Sequence, residues 1–193
     1  MNHMEFMGVP FEGTAKEFFL KLKSSVKIYS VEKEYDDEVK CELSFTGKWA
    51  HVKIYGNPVN YISVELHYGY HRGDPTIEEW KQIVNDYNDY RDALSKKYGS
   101  PSVSRQETSY NGNRRDSMND LIKNNLHNIR YGEGLYQPEC YSIYKTKAGD
   151  IYLTTAMHGQ DNIYWFNGLA ISYSDSYNKD HPFKPENTRF KDL

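Results

Sequence analysis

Cysteine is scarce in this sequence, whose 193 residues include only Cys41 and Cys140. Two cysteines are too few for a disulfide scaffold, and neither lies in a CxxC or Cys/His spacing of the kind that binds zinc. We expect two buried free thiols. The alternative is a single long-range disulfide bond, which an oxidising compartment would permit.

Long apolar runs and an excess of positive charge are also missing. No run approaches the ~20 apolar residues that a membrane-spanning helix needs. The 24 basic and 27 acidic residues are interspersed and give a net charge of −3, without the basic stripe that nucleic acids require. No basic and apolar leader precedes the folded pattern. We therefore expect neither nucleic-acid binding nor a membrane span; a chain made without a leader and a mature form that has lost one both stay open.

Motifs for catalysis or metal binding are absent as well. There is no GxSxG sequence, and neither cysteine has a catalytic signature around it. His67 and His71 are four residues apart, with His51 on a neighbouring strand, but this spacing brings two imidazoles together only on a helix. HYGYH is expected to be strand and turn. The sequence thus predicts no catalytic residue, no metal site and no cofactor.

The clearest positive signal is a long helix between Thr76 and Pro101. Thr76 and Glu79 have the spacing of a capping box, and Gly99 can adopt the left-handed conformation that ends a helix. Apolar residues recur at helical spacing along one face: Trp80, Ile83, Val84, Tyr87, Leu94 and Tyr98. We expect this face to cover a sheet as a central brace, and Asp86, Asp89, Lys96 and Lys97 to face water.

Most of the remaining chain has the alternating pattern of β-strands. Tyr61–Tyr68 is the best example, with Ile62, Val64, Leu66 and Tyr68 on one face. Short turns separate the strands, which is typical of an antiparallel meander. A first helix precedes them, with Thr14 and Glu17 as its capping box. We predict an α+β fold: a mostly antiparallel sheet with helices packed on one face.

The order of elements repeats along what we expect to be a single domain, 1–193. Residues 5–70 and 74–177 each read as an α-β-β-β half, which suggests duplication, although α+β sheets commonly use this order without it. We expect the polar segment 109–117 to be a loop, a weaker third helix to begin at Asp116, and residues 178–193 to form a peripheral tail.

Aromatic residues are abundant, with 18 Tyr, 3 Trp and 8 Phe. Tyrosine suits half-buried sheet positions, and it also suits a surface that stacks on sugars or contacts a protein. The candidate ligand-binding residues are Tyr68 and Tyr70, which flank Gly69, and Tyr164 and Trp165 in an aromatic triplet. We expect a non-enzymatic binding module whose partner is another protein. A carbohydrate- or peptide-binding accessory protein is the alternative, and an enzyme comes third.

Several phrases together resemble an uncharacterised family of small bacterial proteins. They are FMGVPFEGTAKEFFLKLK, YNDYRDALSKKYGSPS, CYSIYKTKAGDIYLTTA, LAISYSDSYN and a terminal DL. Members typically carry an export leader before the FxGxP opening, so the resemblance implies a protein that acts outside the cytoplasm. No activity or catalytic residue is established for the family. The element order also resembles tandem α/β modules of the β-lactamase-inhibitor-protein type and outer-membrane assembly lipoproteins, which bind other proteins.

Overall fold

The fold is described from a computed structural model of the chain. It describes residues 3–71, 77–110, 114–117, 136–160 and 164–180; side chains are described for 3–66, 68, 78–79, 81–106, 140–155 and 168–179. The helices are α1 (Ala15–Lys23), α2 (Ile77–Tyr98) and α3 (Ser176–Asp180). The strands of the first half are β1 (Glu5–Phe6), β2 (Val9–Pro10), β3 (Ile28–Glu34), β4 (Glu38–Phe45), β5 (Lys48–Gly56) and β6 (Val59–His71). Those of the second half are β7 (Val103–Tyr110), β8 (Arg114–Ser117), β9 (Tyr136–Lys145), β10 (Gly149–Gln160) and β11 (Tyr164–Asp175).

Nine of these strands form one sheet in the order β3-β4-β5-β6-β11-β10-β9-β7-β8. Each pairing between the described strands is antiparallel. The predicted α+β class and antiparallel sheet are thus confirmed. The final strand of each half, β6 and β11, lies at the centre of the sheet, where the two strands pair with each other.

One face of the sheet is apolar and carries the helices. In β4 each second residue is buried, namely Val39, Cys41, Leu43 and Phe45. In register with Cys41 across the sheet lie Val52, Val64, Ile171 and Leu153, all of them buried. Residues of α1 and α2 join the same core cluster, so both helices pack on this face as predicted. Among the described helices, none is long and apolar enough to cross a bilayer.

Local capping chemistry explains the bounds of the two main helices. The Thr14 hydroxyl accepts a hydrogen bond from the Glu17 amide, and the Glu17 carboxylate accepts one from the Thr14 amide, so the predicted capping box of α1 is present. Gly99, with φ of 86°, follows the end of α2. Ile83, Val84, Tyr87 and Leu94 are buried as expected. Thr76 and the side chain of Trp80 lie outside the described residues.

Three details differ from the predictions. Asp86 does not face water freely, because it accepts a hydrogen bond from Lys48 of β5. The segment 109–117 is not simply a loop: Ser109 and Tyr110 end β7, and Arg114–Ser117 forms β8, which pairs with it. The tail does not begin as a peripheral segment, since the Asn178 side chain is buried and donates hydrogen bonds to the carbonyl oxygens of Phe11 and Val59. Residues 181–193 and the predicted third helix beyond Ser117 lie outside the described residues.

Candidate functional site

The face of the sheet opposite the helices, here named the open face, presents the polar half of each alternating strand. Lys40, Lys53, Ser63, Ser172 and Tyr152 follow one another in register across five strands of this face. A neighbouring row holds Glu42, His51, Glu65, Ala170, Thr154 and Tyr141. Within the described part of the chain, no helix packs against these residues. In the described part of the chain, the open face is therefore a broad surface available for binding.

Three tyrosines form a row on the open face, near the end of the sheet where β5 turns into β6. Tyr55 of β5 and Tyr61 of β6 have ring centroids 6.1 Å apart, with the ring planes inclined at 36°. The Tyr61 hydroxyl donates a hydrogen bond to Ser172 Oγ of β11 at 2.9 Å. Beyond it lies Tyr152 of β10, which is 37% exposed. We name Tyr55, Tyr61 and Tyr152 the tyrosine row; together they cover four adjacent strands.

Hydrogen bonding also fixes the outer end of this row. The Tyr152 hydroxyl donates to Asp150 Oδ2 at 3.2 Å, and the same carboxylate accepts a hydrogen bond from Lys145. Partial burial and the Asp150 charge raise the pKa of Tyr152, so its hydroxyl stays protonated at neutral pH. Hydrogen bonds therefore orient two hydroxyls of the row, those of Tyr61 and Tyr152.

Paired charges surround the tyrosine row. Lys53 Nζ lies 2.7 Å from Glu65 Oε1, and Glu38 accepts from Lys33 while lying 3.3 Å from Lys40. The hydrogen bond from Lys33 is the main cause that lowers the pKa of Glu38. Ion pairs at a solvent-accessible surface such as this contribute little to stability, because water and salt screen the charges. They give the open face a mixed and nearly balanced charge.

A second feature of the open face is a group of three ligand-type side chains, Glu32, Glu42 and His51, here named the His51 cluster. Each residue places one nitrogen or oxygen within 4.8 Å of those of the other two. His51 Nδ1 lies 3.7 Å from Glu42 Oε1, and the Trp49 ring packs edge-on against the imidazole with centroids 4.4 Å apart. Nitrogen and carboxylate oxygen at such separations form a potential site for a divalent cation.

Of the four aromatic residues singled out from the sequence, Tyr68 lies on the helix side of the sheet. Lys48 Nζ stands 5.2 Å from its ring centroid, and the Tyr68 hydroxyl is buried near Asp86 of α2. Burial first, and the Asp86 carboxylate second, raise the pKa of this hydroxyl. Tyr68 lines a groove of about 350 Å³ with Lys48, Trp49, Leu66 and Gln82.

The other three predicted residues lie on the central strands. Tyr70 of β6 is opposite Phe166 of β11, and Trp165 is opposite His71. Tyr164 pairs with Gln160 of β10. The backbone thus brings Tyr70 and Trp165 to the same end of adjacent strands, while the side chains of Tyr70, Tyr164 and Trp165 lie outside the described residues.

The sequence analysis did not identify the residues of the open face as a site, although the sequence contains patterns that place some of them there. The alternation of Tyr61–Tyr68 places Tyr61 opposite the buried face, as observed. A tight turn at Thr46-Gly47 sets Phe45 opposite Lys48, and that register alone brings Glu42 opposite His51. The pairing of Glu42 with His51 could therefore be predicted from the sequence. The position of Glu32 could not, because it depends on an irregularity in β3.

Comparison of the chain with models of protein families, with curated proteins and with solved structures finds no match. The resemblance noted in Phe6–Lys23 and the other phrases therefore stays a prediction. A function for the protein is therefore inferred from the side chains of the open face.

Proposed function

We propose that the protein is a non-enzymatic binding module that holds another protein on the open face, with the tyrosine row at the centre of the contact. The observation that carries the proposal is the row itself. Three aromatic side chains extend over four adjacent strands on the face that the described helices leave uncovered. Tyrosine is enriched at the centre of protein interfaces because it offers a large apolar ring and a polar tip.

The geometry of the row supports a protein partner over a sugar. Stacking on a sugar favours coplanar rings in a groove, whereas Tyr55 and Tyr61 are inclined at 36° on a sheet surface. Two of the three hydroxyls already have hydrogen-bond partners, Ser172 and Asp150. Rings fixed in this way lose little conformational freedom on binding, which lowers the entropic cost of forming an interface.

The surrounding charges indicate the chemistry of the partner. Lys53–Glu65, Lys145–Asp150 and Glu38 with its two lysines form a polar border of both signs. Such a border fits a folded protein whose contact surface has an apolar centre and a mixed polar edge. It does not favour a strongly acidic or strongly basic partner, since the pairs leave little net field.

Photo-crosslinking tests this proposal. p-Benzoylphenylalanine is placed at position 152 on the open face and, as a control of matched exposure, at position 177 in α3, where Tyr177 packs against His3; Tyr152 and Tyr177 are 37% and 38% exposed. We expect a discrete crosslinked protein from position 152 only. The partner is then purified, and we expect Tyr61→Ala and Tyr152→Ala each to weaken its binding at least about tenfold, as removal of a central aromatic does. Tyr177→Ala should leave the affinity unchanged.

A glycan array measured with the same variants distinguishes a protein partner from the alternative, a carbohydrate ligand. Binding of a defined glycan that Tyr152→Ala abolishes would replace the protein partner with a carbohydrate. Equal crosslinking from positions 152 and 177, or full affinity in Tyr61→Ala, would refute the open face as the contact surface. The family resemblance adds the proposal that the protein acts outside the cytoplasm, which fractionation of cells expressing the complete gene tests.

A further inference from the structure

We propose that the His51 cluster binds one divalent transition-metal ion of the zinc type, with Glu32, Glu42 and His51 as its ligands. This proposal does not depend on the protein partner. The three residues come from three successive strands, β3, β4 and β5, and their ligand atoms converge to within 4.8 Å of one another on the open face.

The strand pairing explains the convergence. Glu42 and His51 are directly opposite each other in the β4–β5 hairpin. The β3–β4 register shifts between Val31 and Lys33, so Glu32 lies at an irregularity of the edge strand. Irregularities of this kind re-aim a side chain relative to a regular ladder. Ser30, two residues before Glu32, lies opposite Glu42, so Glu32 lies beside the Glu42–His51 pair.

The distances are close to those of a metal site. Two ligands at 2.0–2.2 Å from a tetrahedral zinc ion lie roughly 3.4 Å apart. His51 Nδ1 and Glu42 Oε1 are already 3.7 Å apart. The ligand atoms of all three residues lie within 4.8 Å of one another, and Glu32 is exposed, so its side chain has room to adjust toward the other two.

The charge distribution independently points to a cation. Other acids of the open face have lysine partners: Glu38 has Lys33 and Lys40, Glu65 has Lys53, and Asp150 has Lys145. Among the described side chains, no lysine or arginine forms an ion pair with Glu32 or Glu42. Two carboxylates that share one imidazole repel each other unless a positive charge lies between them. A divalent ion supplies that charge.

The residue types select the class of metal. Calcium and magnesium prefer sites made of oxygen ligands, whereas an imidazole nitrogen with carboxylates suits zinc and its neighbours in the first transition row. Two neighbours hold the ligands in place. Ser30 Oγ donates to Glu42 Oε2 at 2.7 Å, which leaves Oε1 directed toward His51, and the Trp49 ring restricts the imidazole. Three protein ligands leave a coordination position open to water or to a group from a partner.

Calorimetric titration of ZnCl₂ into the EDTA-stripped protein tests the site. We expect one zinc ion per chain, and at least tenfold weaker binding in each of His51→Gln, Glu42→Gln and Glu32→Gln. His3→Gln is the matched control, because His3 contacts Asp175 and Tyr177 rather than the His51 cluster, and the zinc affinity of this variant should equal that of the parent protein. Ser30→Ala should weaken binding by a smaller factor, since it removes the support of a ligand.

Two further measurements make the result decisive. In EDTA, Glu42→Gln should unfold at the same or a higher urea concentration than the parent protein, because the substitution relieves repulsion; with zinc, the parent protein should be the more stable. Excess CaCl₂ should not displace the zinc. The absence of stoichiometric zinc binding, unchanged affinity in His51→Gln and Glu42→Gln, or ready displacement by calcium would each overturn the proposal.

Discussion

At the scale of single residues, burial controls the chemistry of the two thiols. Cys41 and Cys140 are both buried and free, so the expected pair of buried free thiols is confirmed. Burial raises the pKa of Cys140 from its ordinary value of 9.0 to about 12. A thiol that stays protonated and out of contact with solvent is a poor nucleophile. We therefore expect neither cysteine to react with a thiol reagent in the folded protein at pH 8, and both to react in guanidinium chloride.

The same pKa shift predicts how stability depends on pH. Between pH 9 and pH 12 the Cys140 thiol loses its proton in the unfolded chain but keeps it in the folded one, so stability falls as pH rises through this window. Below pH 9 the contribution of Cys140 is fully present. Urea midpoints measured from pH 8 to pH 10.5 should fall less steeply for Cys140→Ala than for the parent protein. If the urea midpoints of Cys140→Ala and of the parent protein fell equally steeply with pH, this account would be contradicted. A thiol that reacts readily at pH 8 without denaturant would also contradict it.

At the scale of elements, buried hydrogen bonds hold helix α2 on the sheet together with apolar packing. Tyr87 is fully buried, and its hydroxyl lies 2.7 Å from Ser142 Oγ of β9. The Tyr144 hydroxyl donates to the Arg91 carbonyl oxygen at 2.8 Å one turn further along the helix. These hydrogen bonds fix the position of α2 on the second half of the sheet, in addition to the apolar packing between them.

Substitutions at Tyr87 separate these two contributions. Tyr87→Phe should lower the free energy of unfolding by about 1 kcal/mol, since Ser142 keeps its hydrogen bond with Ser104. Tyr87→Ala should lower it by ~3–5 kcal/mol, the usual loss for a large buried aromatic. Asp89→Ala, on the exposed side of the same helix, is the control and should change it by less than about 0.5 kcal/mol. A loss under 1 kcal/mol in Tyr87→Ala would show that α2 does not rest on the sheet at this point.

The elements themselves were largely predictable because their signals are local. The capping box at Thr14 and the helical spacing of Ile83, Val84 and Tyr87 are read from neighbouring residues, and so is the alternation that separates Tyr61 from Ile62. A strand over Ser102–Thr108 was predicted and is present as most of β7. The end of β7 and strand β8 were not predicted, since the polar residues of 109–117 show no apolar alternation. These residues pair with each other, and β7 in turn pairs with β9.

The candidate site was less predictable, because it is assembled by long-range register. Tyr61 and Tyr152 become neighbours only when β11 lies between β6 and β10, and no local pattern specifies that order. The Glu42–His51 pair follows from a tight turn, whereas Glu32 reaches it through an irregular edge strand. Sequence patterns therefore indicated a tyrosine-rich sheet face but could not state which tyrosines meet.

At the scale of the whole molecule, the pairing of β6 with β11 makes one sheet of the two halves. The pairing runs from Tyr61–Ser174 to His71–Trp165. Val64 and Leu66 of β6 and Leu169 and Ile171 of β11 are buried on its helix side. Duplication of the halves stays a prediction, but their shared core has a physical consequence. Neither half can expose its side of this junction without leaving apolar residues such as Val64 and Ile171 in water.

We therefore expect the two halves to unfold in a single cooperative transition. Ile54→Ala in the first half and Leu153→Ala in the second should each lower the free energy of unfolding by ~2–5 kcal/mol, since both side chains are fully buried. β5 and β10 are three strands apart, or about 14 Å, so the losses should add in the double variant. Tyrosine fluorescence and far-ultraviolet circular dichroism should give coincident urea curves for all four proteins. If Leu153→Ala produces a second transition while leaving the first at the parent midpoint, the halves unfold independently, and the β6–β11 junction does not couple them.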